Sequence, residues 1–257
     1  MVAVVITWLA ALAGGGALGS FLSLACARFS PALSPAQWFA AMCSPASRSD
    51  CCQRRLLWRD TLPLVSWPAL RGRCRVCQQP FDAGSFLTEW LFALLCLLLL
   101  QSVDSHAERL YLIAAASLLF LLAAIDRRHY FLPDPLNYLL LWLGILHAAL
   151  TGRETAAIYG AVAGYCSLWL LAWGYRRVRD VEGLGYGDIK LFAALGACCG
   201  WQALPGIALG ATLLALAAMM SALWRGLRPG DSPLPFGPFL AIAGWVTLVL
   251  QTRFTLL

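Results

Sequence analysis

Charge is what this 257-residue sequence has least of. Asp, Glu, Lys and Arg supply 12% of it, and apolar residues 60%; ordinary soluble domains run at about 25% charged. Residues 1–27 carry no charge at all, and the whole chain holds only 13 acids and three histidines. With a mean hydropathy of +0.71, this scarcity excludes a disordered chain, a collagen-like repeat and a water-soluble enzyme. One aqueous core cannot hide so much Leu, Ala and Trp, so lipid must be the solvent for much of the surface. No basic block with interleaved aromatics lies outside the loops, which leaves nucleic acid without a footing, and no internal repeat or low-complexity segment is evident. No basic residue precedes the first apolar run; Arg28 follows it. A secretory signal carries its charge in front, so the first run is expected to be an uncleaved span with its N-terminus outside.

What is present is a series of apolar runs: 1–27, 87–101, 110–125, 135–150, 156–175, 189–203, 205–224 and 236–252. Pro205 divides the sixth run from the seventh, since proline opens a helix more readily than it continues one. The expected fold is all-α and integral to the membrane, with about eight transmembrane helices. Residues 28–86 break the pattern with eight Arg and five polar-segment cysteines. They read as a small loop domain between a first helix (1–27) and a seven-helix core (87–257). Segments 28–86, 126–134, 176–190 and 225–228 hold 16 of the 19 basic residues; Arg109, Arg153 and Arg253 are the other three. The positive-inside rule places the Arg-rich segments in the cytoplasm. Gly14, Gly15, Gly16 and Gly19 give the first span small-residue faces for close helix packing.

Two acids sit at the cytoplasmic edge of spans: Asp126 (LLAAIDRRHYFLPD) and Asp188 (EGLGYGDIKLF). A carboxylate there is costly unless it meets a wet cavity or a partner, which makes it a functional candidate. Gly183, Gly185 and Gly187 surround Leu184, Tyr186 and Asp188; glycine permits unusual backbone angles and close approach by another chain. Two carboxylates in close approach share a proton, as aspartyl proteolysis requires. Spacing alone does not say that they meet. Asp134, in Leu-Pro-Asp-Pro, is a rival for the first role, although a turn or N-cap fits it too. Lys190 reads as a side chain snorkelling to the interface. His106, His129 and His147 are scattered and receive no catalytic role.

These segments, together with LPFGPFLAIAGW, GSFLSLACARF and DTLPLVSWPALRGRCRVC, resemble the type IV prepilin peptidases, membrane aspartyl proteases of the Gly-x-Gly-Asp type. These motifs in order, with matching spans between them, cover nearly the whole chain. The resemblance puts the catalytic pair on Asp126 and Asp188, with Gly185, Tyr186, Gly187 and Glu182 as supporting or substrate-binding residues. It implies cleavage of a basic leader from prepilins or pseudopilins at the cytoplasmic face of a bacterial inner membrane, the leader being drawn to acids such as Asp180 and Glu182. It also implies methylation of the new N-terminus from S-adenosylmethionine.

Cys74-x-x-Cys77 has zinc-ligand spacing, and a cytoplasmic loop keeps thiols reduced. The family's loop carries two such pairs around zinc. Here Cys52 matches the second cysteine of the first pair, but Ser49 stands where the first would be. Adjacent Cys51, or the more distant Cys43, is left as the fourth ligand. Ser23, Thr61 and Ser85-Phe86 also depart from the family, which reads Asn, Asn and Tyr-Pro there; Glu89 matches. These departures cluster in the third of the chain linked to methylation, so a peptidase without methyltransferase activity is one alternative. A non-catalytic membrane assembly factor of a pilus or secretion machine is another. A transporter would carry acids or broken helices near mid-membrane, and the apolar runs hold almost none. The oligomeric state is left open.

Overall fold

The computed structural model describes residues 2–43, 51–52, 54–180, 183–226 and 234–254. They form α1 (Val2–Ala27), α2 (Pro35–Cys43), α3 (Ser66–Ala69), α4 (Gly84–Ser102), α5 (His106–His129), α6 (Asp134–Leu150), α7 (Glu154–Arg179), α8 (Tyr186–Cys199), α9 (Leu204–Trp224) and α10 (Gly237–Phe254). Among the described residues Arg73 and Pro80 form an isolated β bridge. The eight apolar runs correspond one to one with α1 and α4–α10. α1, α4, α5, α7 and the segment Trp201–Trp224 are long and apolar enough to cross a bilayer, and α10 is a shorter apolar helix. α6 and α8 are shorter still, at 17 and 14 residues. The chain is an all-helical, multi-pass membrane protein. α8 stops at Cys199, Gly200 turns the chain with φ 81°, and Pro205 lies in the first turn of α9, so the sixth and seventh runs are separate helices.

The chain divides into two compact units, Met1–Ile113 and Ala114–Leu257, with the seam inside α5. In the first, α1 packs on α4. A Cβ on Gly15 would lie 2.5 Å from the Phe92 carbonyl oxygen, and one on Gly19 would lie 2.5 Å from that of Thr88. These two glycines, one helical turn apart, are the small-residue face that lets the backbones touch. Gly14 has nothing within 4 Å of its Cβ position, and Gly16 faces the Leu64 side chain. Beyond α1, α2 folds back: the Trp38 indole donates to the Ala25 carbonyl at 3.1 Å, and Arg28 donates to the Ala41 carbonyl at 2.6 Å.

In the second unit α8 is the central element. Its residues from Ile189 to Cys199 are buried, Lys190 excepted, and it packs against α6, α7 and α10. A helix apolar on every side belongs inside a bundle. The outward faces of its neighbours bear large apolar side chains such as Leu139, Leu171 and Leu209, as lipid contact requires.

Candidate active site

Asp126 occupies the last turn of α5 and is 6% exposed. A backbone group meets its charge there: the Gly237 N–H, at the start of α10, donates to Asp126 Oδ2 at 3.0 Å. A Cβ at position 237 would stand 2.7 Å from that oxygen, so only glycine lets the main chain come this close.

Asp188 lies in the first turn of α8, where the N-terminal dipole favours an anion. Its backbone N–H bonds the Gly185 carbonyl at 3.1 Å, and the bare Gly185 leaves 3.2 Å between a notional Cβ and Asp188 Oδ2. Asp126 lies within electrostatic range of the Asp188 carboxylate. Asp188 Oδ1 is buried and accepts from no donor among the described residues. The two acids come from helices 62 positions apart in the chain. The fold leaves one oxygen for a proton, a water or a substrate carbonyl.

The neighbouring glycines work by bulk rather than by backbone angle. Gly185 is extended at φ −69°, ψ 137°, and Gly187 is helical within α8. A Cβ on Gly187 would sit 2.7 Å from the Leu132 Cβ, and one on Gly183 would sit 2.5 Å from the Tyr175 ring. The expectation of unusual backbone angles is corrected accordingly: close approach is what these positions need. Tyr186 is half-exposed and borders an open groove with Trp169, Trp173, Arg176 and Leu184. Asp180 caps α7 in a left-handed conformation. Glu182 and Ser49 lie outside the described residues.

Asp134 is the first residue of α6, after Pro133 at the N-cap, and Lys190 is partly exposed. The Lys190 ammonium lies 2.7 Å from each Asp134 carboxylate oxygen. Gly237 is the residue that sequence reasoning missed. A Gly-Pro pair opening an apolar run was visible in it, but nothing local pointed to Asp126, 111 positions away.

In the first unit the four loop cysteines converge. The sulfurs of Cys51, Cys52, Cys74 and Cys77 all lie within 4.8 Å of one another, with Cys77–Cys51 at 3.0 Å and Cys52–Cys74 at 3.9 Å. Cys51 joins the group and Cys43 is not part of it. Adjacency is no obstacle, because a turn at residues 51–52 directs both sulfurs inward. Tetrahedral zinc with Zn–S of ~2.3 Å sets its four sulfurs ~3.8 Å apart, within the spread seen here. The backbone N–H groups of Cys77 and Val76 pull the Cys74 thiol down to about 6. The hydrogen bond from Cys77, with burial second, pushes Cys51 up to about 12. Four thiols this close cannot all ionise without a cation among them. The knuckle is tied to its surroundings by Arg75–Asp60 at 2.9 Å and by the buried Glu89, whose Oε2 accepts the Leu64 N–H at 2.8 Å. Trp67 stacks on Phe86 at 4.8 Å, and the Ser23 and Ser85 hydroxyls lie 2.7 Å apart.

Residues 113–220 match the model of the "Type IV leader peptidase family", and residues 14–103 match that of the "Bacterial Peptidase A24 N-terminal domain". The first match begins at the seam between the units, at Ile113, and the second lies within the first unit. A "Prepilin leader peptidase/N-methyltransferase" of Burkholderia pseudomallei (strain K96243) is 41% identical over 219 residues, covering 84% of this chain and 71% of its own. Proteins of that name in Aeromonas hydrophila and Dichelobacter nodosus are 40% identical over 206 residues and 39% over 210. They cover 79% and 80% of this chain, and 71% of their own length in each case. No solved structure matches the chain.

Proposed function

We propose a function that proceeds from one fact: the chain belongs to the type IV leader peptidase family. It is a prepilin leader peptidase and N-methyltransferase. It removes a basic leader from prepilins or pseudopilins at the cytoplasmic face of a bacterial inner membrane, then methylates the exposed amine. The observation that supports the proteolytic half is that Asp126, held by a backbone donor, lies within electrostatic range of Asp188, which has a buried oxygen left open.

Two carboxylates acting on one substrate carbonyl favour one shared proton. The ionised acid takes a proton from water as the water oxygen attacks the scissile carbonyl, and the protonated acid gives its proton to the carbonyl oxygen. Collapse of the tetrahedral adduct returns a proton to the amide nitrogen, which leaves as the amine, and restores the pair. Such general acid–base catalysis contributes ~10²–10⁴-fold. The rate of cleavage is expected to follow a bell-shaped pH profile that belongs to the pair rather than to either acid. A profile with a single inflection would contradict proton sharing.

In the first unit, the four-cysteine cluster suits zinc as a structural ion, held by Cys51, Cys52, Cys74 and Cys77. It would supply folding energy to an Arg-rich loop with little apolar burial. Methyl transfer is assigned to this unit, with S-adenosylmethionine as the second substrate. The deciding experiment incubates the purified full chain with a prepilin, with and without S-adenosylmethionine, and reads product mass. Loss of the leader mass tests the peptidase, and a further 14 Da ~ one methyl group in size tests the transfer. An uncut prepilin would favour the assembly-factor reading. A cut but unmethylated product would favour a peptidase alone.

A further inference from the structure

The acid between the two candidate catalytic segments, Asp134, is held by the only lysine in the sequence. Lys190 reaches both of its oxygens at 2.7 Å, and the same ammonium lies 5.9 Å from the centre of the Tyr138 ring. The partners occupy particular places. Asp134 is the first residue of α6, eight positions after Asp126. Lys190 is in the first turns of α8, two positions after Asp188. Beside the pair, Leu132 presses on the bare Gly187, and Pro133 and Pro135 stiffen the entry to α6.

We propose that Asp134 and Lys190 are positioning residues for proteolysis: their ion pair clamps the start of α8 to the start of α6 and so sets Asp188 against Asp126. The inference rests on the reading of those two acids as the proteolytic pair. Asp134 is about half exposed and Lys190 about a quarter, so the pair adds little to global stability. A reaction that needs two carboxylates in fixed register is far more sensitive, because a misplacement of about 1 Å can cost roughly a hundredfold in rate. The pair also removes Asp134 from the chemistry: both its oxygens are already engaged.

The test measures kcat and KM for prepilin cleavage by the full-length protein in detergent, with elution volume and metal content as checks on folding. Asp134→Asn and Lys190→Gln are each expected to lower kcat roughly ten- to a hundredfold with little change in KM. Lys190→Arg should lose less than Lys190→Gln. The exchanged pair, Asp134→Lys with Lys190→Asp, should recover much of the single-variant loss, which a merely structural defect would not do. If either single variant fails to fold, the exchanged pair and Lys190→Arg carry the decision. Unchanged kcat in the single variants, or an exchanged pair no better than they are, overturns the clamp. So does a dead Asp134→Asn beside a fully active Lys190→Gln, which would return Asp134 to the chemistry. Asp188→Asn runs in parallel. If it still cleaves, the proteolytic pair itself is wrong and the clamp falls with it; if it is dead while the clamp variants run at full rate, the clamp alone is wrong.

Discussion

The two units solve the problem of holding a polar site in a lipid-soluble chain by opposite means. In Ala114–Leu257 the acids are fixed by helices in backbone contact: α8 is buried on nearly every face, and glycines at 187 and 237 clear space beside Leu132 and Asp126. In Met1–Ile113 the cysteine segment has almost no apolar interior of its own. A few discrete tethers hold it: the sulfur cluster, Arg75–Asp60, and Leu64 bonded to Glu89. A site held by packing should fail through added bulk, and one held by tethers through the loss of a single ligand.

The sharpest way to break this contrast is Asp188→Asn. Cleavage should drop by about 10²–10⁴-fold, while methyl transfer to a pilin already lacking its leader continues. A joint loss of both activities, read by product mass, would mean that the two units do not work separately. Next comes the metal. Wild-type protein should carry about one zinc per chain, as a four-thiolate site implies. Cys74→Ser should lose the ion and methyl transfer while retaining cleavage, and metal-free protein with full methyl transfer would discard the ion's part. Gly237→Ala comes third: its methyl would meet the Asp126 carboxylate, and cleavage should fall by about tenfold with no change in metal content. The smallest effect separates two neighbouring glycines of α1. Gly15→Ala pushes a methyl into the α4 backbone and should cost about 1–3 kcal/mol. Gly14→Ala meets open space and should be neutral or stabilising by up to about 1 kcal/mol. Thermal unfolding of the two variants compares them directly.

Much of the fold was legible because hydropathy reports contact with lipid, and here most helices touch it. The run 110–125 became α5, His106–His129, since a helix continues past its apolar stretch into charged ends. The run 189–203 overshot α8, because the Gly200 turn is as apolar as the helix before it and leaves no trace in hydropathy. At the site, scarcity made Asp126 and Asp188 conspicuous. Their neighbours were harder to read. Gly237 acts through its main chain, and the Asp134–Lys190 contact spans 56 positions, so neither leaves a local pattern. The cysteines fell between these cases. The residue types announced the chemistry, but only the turn at 51–52 decides that two neighbours face the same point.

The amide that meets Asp126 belongs to the polypeptide itself, and every amino acid but proline has one. Substitution at 237 by any residue other than proline therefore cannot delete this donor; it can only push it away. Shortening the protein is another matter: a product ending before α10 would retain both acids and the four clustered cysteines and yet leave Asp126 without its backbone hydrogen-bond donor.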